Sequence, residues 1–267
     1  MFSGGIGSWA TAKRVAEKHG TDDLTLLFAD VKGDTQDPHI GEDEDCYRFI
    51  KEAAVNVGAP LVRIADGRDI WQVFKDRKFL GNSRQANCST SLKQIPCRKW
   101  LEDNCPDPSE TVVYVGIDWT ESQRLPKIEK AYLPYRAEAP LCEPPFLDKK
   151  ALIEWAKGEG LAPPRMYAQG FPHANCGGGC VRAGHGQFRM LLNQNPERFA
   201  VWETKEQEVR EHLGKDVAIL RDHRKGGVPL TLRSFRERID AETDKSPTLF
   251  DDEDAEIGGC GCFTEYE

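Results

Sequence analysis

Five glycines and serines crowd the first eight residues of the chain: Ser3, Gly4, Gly5, Gly7 and Ser8, in the stretch SGGIGS. Glycines in such a turn let successive backbone N–H groups face an anion, and a following helix adds the positive end of its dipole. Trp9, Ala12, Val15 and Ala16 have the spacing of that helix. The chemistry this suits is the cradling of a phosphate; the plainer reading is an ordinary glycine-rich turn. A second group of residues carries sulfur. Cys176 and Cys180 stand in CGGGC, Cys88 and Cys97 bracket STSLKQIP, and Cys260 and Cys262 stand in GGCGCF. Thiolates at short spacing in a glycine-rich loop suit a soft metal, because the backbone wraps it tightly and aims N–H groups at sulfur. Cys88, Cys176 and Cys180 are therefore candidate ligands of an iron–sulfur cluster, with zinc or metal-free thiols as alternatives. Cys97 is the fourth candidate, just inside a helix expected to begin at Pro96, whose N-terminus favours a thiolate. Cys260 and Cys262 are too close in sequence for a disulfide with each other and point to metal, persulfide or a partner thiol. Cys46, Cys105 and Cys142 read as singletons.

These residues need elements to hold them. DLTLLFAD, APLVRIAD and TVVYVGID read as strands, and CYRFIKEAAVNVG and RDIWQVFKDRKFLG as helices, the first stopped by Gly58. Strands alternating with helices predict an α/β fold: a doubly wound, Rossmann-like parallel sheet that binds ligands at the carboxyl ends of its strands. The glycine turn, Asp30 and the segment after Val115 fall on that edge. Glu121 and Arg124 follow it, three residues apart, where an exposed helix-face ion pair is the plain alternative to a ligand contact. Beyond residue 140 the pattern changes to proline-rich loops, a helix near residues 148–157, two amphipathic helices separated near Pro196, the helix TLRSFRERIDAE, and an acidic stretch that reads as a flexible tail. The organisation expected is a nucleotide-binding domain over residues 1–165, then a cysteine loop, helical extension and tail over 166–267.

A chain of 267 residues with 39% hydrophobic content can bury a substantial core. The net charge of −8 argues against coating nucleic acid by bulk electrostatics, though a local basic groove is compatible with it. No stretch approaches the roughly 18 apolar residues of a membrane span, and no signal peptide precedes the first motif. A soluble, cytoplasmic protein without a membrane partner is expected. Nine cysteines in such a setting point to metal or redox chemistry before a disulfide framework.

The order of motifs resembles the phosphoadenylylsulfate (PAPS) reductase family of the N-type ATP pyrophosphatases, the PP-loop or HUP-type superfamily. SGGIGS resembles its SGG-x-D-S loop, CSTSLKQIPC its cysteine, Lys and Pro segment, and GIDWTESQR its Gly-Ile, Glu and Arg segment. APLCEP with PRMYAQGF resembles its Pro-Leu and Tyr-x-x-Gly-Phe stretch, and CGGGC stands where it has a Cys-x-x-Cys pair. The likeness runs from Ser3 to about Cys180. It implies ATP or another adenine nucleotide, assisted by Mg2+, with adenine and ribose near residues 28–30 and phosphate or sulfate oxygens facing Lys93 and Arg124. It further implies sulfur chemistry, either reduction of an activated sulfate by a tail thiol such as Cys260 or Cys262, or sulfur transfer to an adenylated acceptor such as tRNA or DNA. A sulfur donor or reductant protein would be a partner, and a homodimer is open to it. Gly7 stands where the loop pattern has aspartate, Ser89 follows Cys88 where cluster-bearing reductases often have a second cysteine, and three residues separate Cys176 from Cys180. A non-catalytic nucleotide sensor is the rival that Gly7 motivates. The family also supplies a strand before the loop, of which Met1 and Phe2 are all that is present, so the numbered sequence is expected to start late.

Overall fold

In the computed structural model, which describes residues 1–243, helices predominate and the strands are short. Cys260 and Cys262 lie outside the described residues. Helix α1 (Ile6–His19) rises directly from the glycine turn, buries Ile6, Trp9, Ala12 and Val15, and ends at Gly20. Strand β1 (Leu26–Asp30) is buried along its whole length, as a strand covered on both faces must be. Helix α2 (Glu44–Val57) is opened by Asp43, whose carboxylate accepts from the Asp45 N–H, and closed by Gly58 in the left-handed region. Strand β2 (Leu61–Ala65) runs parallel to β1, with Leu26 facing Leu61. Helix α3 (Ile70–Asp76) begins with a reciprocal capping box between Asp69 and Gln72.

The next helical run starts earlier than Pro96. It consists of α4 (Asn87–Ser89), a π turn (Thr90–Gln94) and α5 (Ile95–Asn104). Pro96 has no N–H to give to Leu92, and the wider π register just before it absorbs that missing bond. Cys97 therefore lies inside a continuous helical run and not at a free helix end. Strand β3 (Val112–Tyr114), helix α6 (Leu125–Tyr132) and strand β4 (Arg136–Glu138) form a second parallel unit. Helix α7 (Lys149–Gly158) is capped by Asp148 and is followed by the short α8 (Arg165–Ala168). Helices α9 (His185–Gln194) and α10 (Pro196–Leu213) meet at Asn195, which caps the second. An antiparallel hairpin of β5 (Leu220–Asp222) and β6 (Val228–Leu230) leads into α11 (Leu232–Thr243).

The expected alternation of strands and helices and the parallel pairing are present, but among the described residues one continuous doubly wound sheet is not: the six strands there form three two-stranded sheets. Between β1 and β3 stand Met1 and Phe2. The Phe2 N–H donates to the Leu27 carbonyl at 2.8 Å, and the Met1 amine donates to the Tyr114 carbonyl at 2.8 Å. Two residues bridge the two parallel units without forming a strand of their own. The helical extension packs onto the first part of the chain. One cluster of buried residues reaches from Phe2 to Ile239, and Trp71 on α3 meets Trp202 on α10 edge to face at 5.0 Å between ring centroids. Among the described residues no helix is long and apolar enough to cross a membrane.

Glu206 of α10 fastens the end of the fold. Its buried carboxylate accepts from the Ile219 N–H at 2.9 Å and the Leu232 N–H at 2.7 Å, joining the hairpin and α11 to α10. Burial pushes its pKa up from 4.5 to about 7. Between those values the folded protein retains a proton that the unfolded chain has lost, so stability falls as pH rises through that window, by on the order of 3 kcal/mol. Glu206→Gln should remove this part of the slope. Urea unfolding of both proteins from pH 4.5 to 8 checks it; parallel pH profiles would contradict the assignment.

Candidate active site

The glycine turn is shaped by what lies behind it. Gly4 has φ +79, and a Cβ there would stand 2.7 Å from the Ile50 side chain of α2. Its carbonyl accepts from the Cys46 thiol at 3.3 Å. Burial, with Glu42 and Asp43 nearby, pushes that thiol well above its usual range and keeps it a neutral donor. Gly7 is required by a close approach. A Cβ on it would lie 2.9 Å from the Gly116 carbonyl, and a Cβ on Gly116 would lie 2.9 Å from the Ser8 N and Cα. The turn and the end of the β3 segment thus touch backbone to backbone, leaving no room for an aspartate at position 7.

In front of the turn is a cavity of about 90 Å³. Ser3, Gly5, Gly7 and Ser8 line it from one side, Glu121 and Arg124 from another, and Lys149 and Tyr167 from a third. The first turn of α1 has no acidic residue and no side-chain cap, and the Ile6 N–H donates to the Tyr167 hydroxyl at 3.0 Å. Lys149 Nζ stands 6.0 Å from the Tyr167 ring centroid. Arg124 pairs with Glu121 while both line the cavity. The site is thus a helix N-terminus faced by two cationic side chains, an arrangement suited to an anion. Gly4 turns toward α2, and Asp30 is committed elsewhere: its buried carboxylate accepts from the Tyr47 hydroxyl at 2.8 Å and the Lys32 N–H at 3.0 Å, and pairs with Arg63. Lys149 was missed because nothing local in the sequence separates it from a solvated helix residue; Tyr167 is the tyrosine of PRMYAQGF, a stretch matched for its resemblance without a role assigned to that side chain.

Cys88, Cys176 and Cys180 line a second cavity, of about 50 Å³, together with Lys93. The CGGGC loop is bent by Cys176 at φ 54, uncommon for a residue other than glycine. It is pressed against α10, where a Cβ on Gly179 would meet the Trp202 ring at 2.5 Å. Lys93 is buried with its Nζ 3.3 Å from Glu42 Oε1, and Glu42 is wholly buried. The other Glu42 oxygen accepts from the Cys176 N–H. Arg198 of α10 braces the segment before it, donating to the Gly41 carbonyl at 3.1 Å and the Pro38 carbonyl at 2.9 Å. Glu42 sits in the run GEDED, which reads as a solvated loop.

Lys93 therefore belongs to the thiol cavity and not to the loop cavity. Cys97 belongs to neither. It packs against Leu27 and Ala29, and burial pushes its thiol up to about 11, against the expectation of a favoured thiolate. Soft thiol donors are present in the second cavity, but among the described residues no three His, Cys, Asp or Glu side chains form a group that could hold a metal ion. As arranged, the three cysteines share a cavity without closing on one point. One segment borders both cavities: His173, Ala174 and Asn175 line the first, and Cys176, Gly179 and Cys180, next along the chain, line the second.

Because Glu42 is buried, its charge depends on Lys93. Lys93→Met should cost about 3–5 kcal/mol by stranding that carboxylate, and adding Glu42→Gln should restore at least half of the loss. Urea unfolding of the three proteins is the measurement, and a double variant as unstable as Lys93→Met would contradict the pairing. Compared with known proteins, the chain matches no family model, and no curated protein is significantly similar to it in sequence.

Proposed function

We propose that this protein is an enzyme that binds an adenine nucleotide at the glycine turn and performs sulfur chemistry at the adjoining thiols. The observation that carries this reading is the single segment 173–180, which walls both the anion-suited cavity and the cysteine cavity. Nucleotide phosphates rest on the N–H groups of the turn and the tip of α1, with Arg124 and Lys149 supplying positive charge and Mg2+ offsetting the rest. In the same reading β2, β1, Met1–Phe2, β3 and β4 stand in the order of a doubly wound sheet, with the site at its carboxyl edge.

Sulfur transfer is the version favoured here, because Cys88, Cys176 and Cys180 line a cavity next to the anion-suited one. An acceptor oxygen attacks the α-phosphorus of ATP, the bond from that phosphorus to the α,β-bridging oxygen breaks, and pyrophosphate leaves. Sulfur carried on Cys88, Cys176 or Cys180 as a persulfide then attacks the activated carbon, and AMP leaves with the electron pair of the bond to oxygen. The persulfide is loaded by a sulfur-donor protein; after its outer sulfur bonds to carbon, a second thiol of the three attacks the inner sulfur, the S–S bond breaks to release the thiolated acceptor and leave a Cys–Cys disulfide, and a reductant protein restores the two thiols. The same thiols are the donors an iron–sulfur cluster or zinc would take. A tRNA or DNA base is the acceptor class that goes with this reading.

The test is release of pyrophosphate and AMP from ATP with tRNA or single-stranded DNA supplied, beside calorimetric titration of ATP. Arg124→Ala and Lys149→Ala should each weaken ATP binding about tenfold, the worth of one charge-assisted contact. Cys176→Ala should leave ATP binding intact and abolish sulfur incorporation. Absence of ATP binding overturns the reading. Tight binding with no pyrophosphate under any condition favours the rival, a nucleotide sensor, which Gly7 supports by removing the loop's acidic side chain. Iron, sulfide and zinc analysis of anaerobically purified protein decides between free thiols and a metal-bound carrier.

A further inference from the structure

Among the described residues only two tryptophan, tyrosine or phenylalanine side chains are exposed, Trp119 at 43% and Phe146 at 56%. They come from separate segments and meet, with ring centroids 6.0 Å apart and planes tilted by 55°. Asp118 and Glu121, before and after Trp119, line the loop cavity, as does Lys149, which follows Phe146 at the start of α7. We propose that this pair is a stacking platform for an unpaired base of a single-stranded nucleic acid, held at the rim of the loop cavity. The proposal rests on the reading of an adenylating enzyme with a nucleic-acid acceptor, and it assigns the residues that hold that acceptor.

Both rings stand on braced backbone. Trp119 opens a short 3-10 helix (Trp119–Arg124) whose cap, Asp118, accepts from the Thr120 N–H at 2.9 Å. The segment before Phe146 is gripped from α1, where the Arg14 guanidinium donates to the carbonyls of Pro140 at 2.8 Å, Glu143 at 3.0 Å and Pro145. The Cys142 thiol donates to the Asp118 carbonyl at 3.4 Å and ties the two segments together. Leaving two large rings in water forgoes the free energy of burying them. A ring already fixed in place loses little freedom when a base stacks on it.

Charge and shape select the occupant. The other exposed large apolar side chains, Val55, Ile95, Leu133 and Val228, belong to other segments, so the rings are not set in a run of aliphatic neighbours. Charge flanks them instead: Arg124 and the exposed Lys127 follow Trp119, and Lys149 and the exposed Lys150 follow Phe146. Of the acidic side chains in these segments, Glu121 pairs with Arg124, Asp118 and Asp148 accept from the N–H groups of the helices they cap, and Glu143 is exposed. A single strand offers flat bases and phosphates side by side, which suits flat rings beside cations. A duplex hides its base faces in the stack. With a net charge of −8 on the chain, attraction of phosphates depends on such a local group.

The test is fluorescence anisotropy of the full chain with labelled oligouridylate and oligothymidylate of about twelve nucleotides, within the usual span of single-strand sites. A duplex and an abasic strand of equal length are the controls. The single strands should bind more tightly than either control, and the tighter of the two identifies RNA or DNA as the acceptor. Trp119→Ala and Phe146→Ala should each weaken single-strand binding about tenfold, Trp119→Phe should retain most of it, and Lys150→Ala should lower the salt slope by about 0.7. Calorimetric titration of ATP should be unchanged in the same variants. Absence of single-strand binding, equal affinity for the abasic strand, or affinity unaltered in both alanine variants overturns the platform. So does loss of ATP affinity in Trp119→Ala, which would give the rings to the adenine, or sedimentation showing self-association that Trp119→Ala abolishes, which would give them to a second copy. Single-strand binding that depends on Trp119 in a protein without ATP affinity overturns the enzymology and leaves the platform; ATP binding without that dependence does the reverse.

Discussion

A single buried carboxylate organises the centre of this molecule. Glu42 is wholly buried, and it holds the Lys93 ammonium on one oxygen and the Cys176 amide on the other. Three stretches remote in sequence meet there: the segment before α2, the π turn, and the CGGGC loop. A buried charge of this kind is tolerated only while its partners stay in place, so the position of the cysteine loop and the position of the lysine are not independent. Arg198 extends the same arrangement by gripping the carbonyls of Pro38 and Gly41 from α10. The helical extension is thereby part of the site's frame, although it contributes little to the surface of the loop cavity.

What was legible in the sequence was local. Helix α2 announces itself through Asp43, its apolar periodicity and Gly58, all within one short window, and the structure uses each of them. The glycine turn, Arg124 and Glu121 were likewise readable because turn chemistry and strand ends are written in neighbouring residues. Pro96 misled for the same reason: a proline suggests a helix start, yet here the helical run is already under way and accommodates it with a π turn. Glu42 was illegible because its burial is set by partners 51 and 134 residues away, and an acidic run otherwise belongs in solvent. Asp30 ends a strand, as a ligand-binding acid would, but Tyr47 and Arg63 take its carboxylate from neighbouring elements. Cys97 shows the limit of spacing arguments. Its distance from Cys88 suits a ligand pair, while the helix between them points it toward the apolar side chains of β1.

The two cavities differ in electrostatic character. The loop cavity is open to cations and backbone N–H groups, and its ion pair of Arg124 and Glu121 is partly exposed and screened by solvent. The thiol cavity is backed by a buried ion pair and by the aromatic wall of Trp202. The cysteine loop joins a polar cavity to a more apolar one over fewer than ten residues.

The contact between Gly7 and Gly116 has a mechanical meaning. With main chain lying on main chain, neither side has a flexible side chain to absorb a displacement. A tilt of the β3–β4 unit against the β1–β2 unit would therefore press main chain directly on the opening of α1.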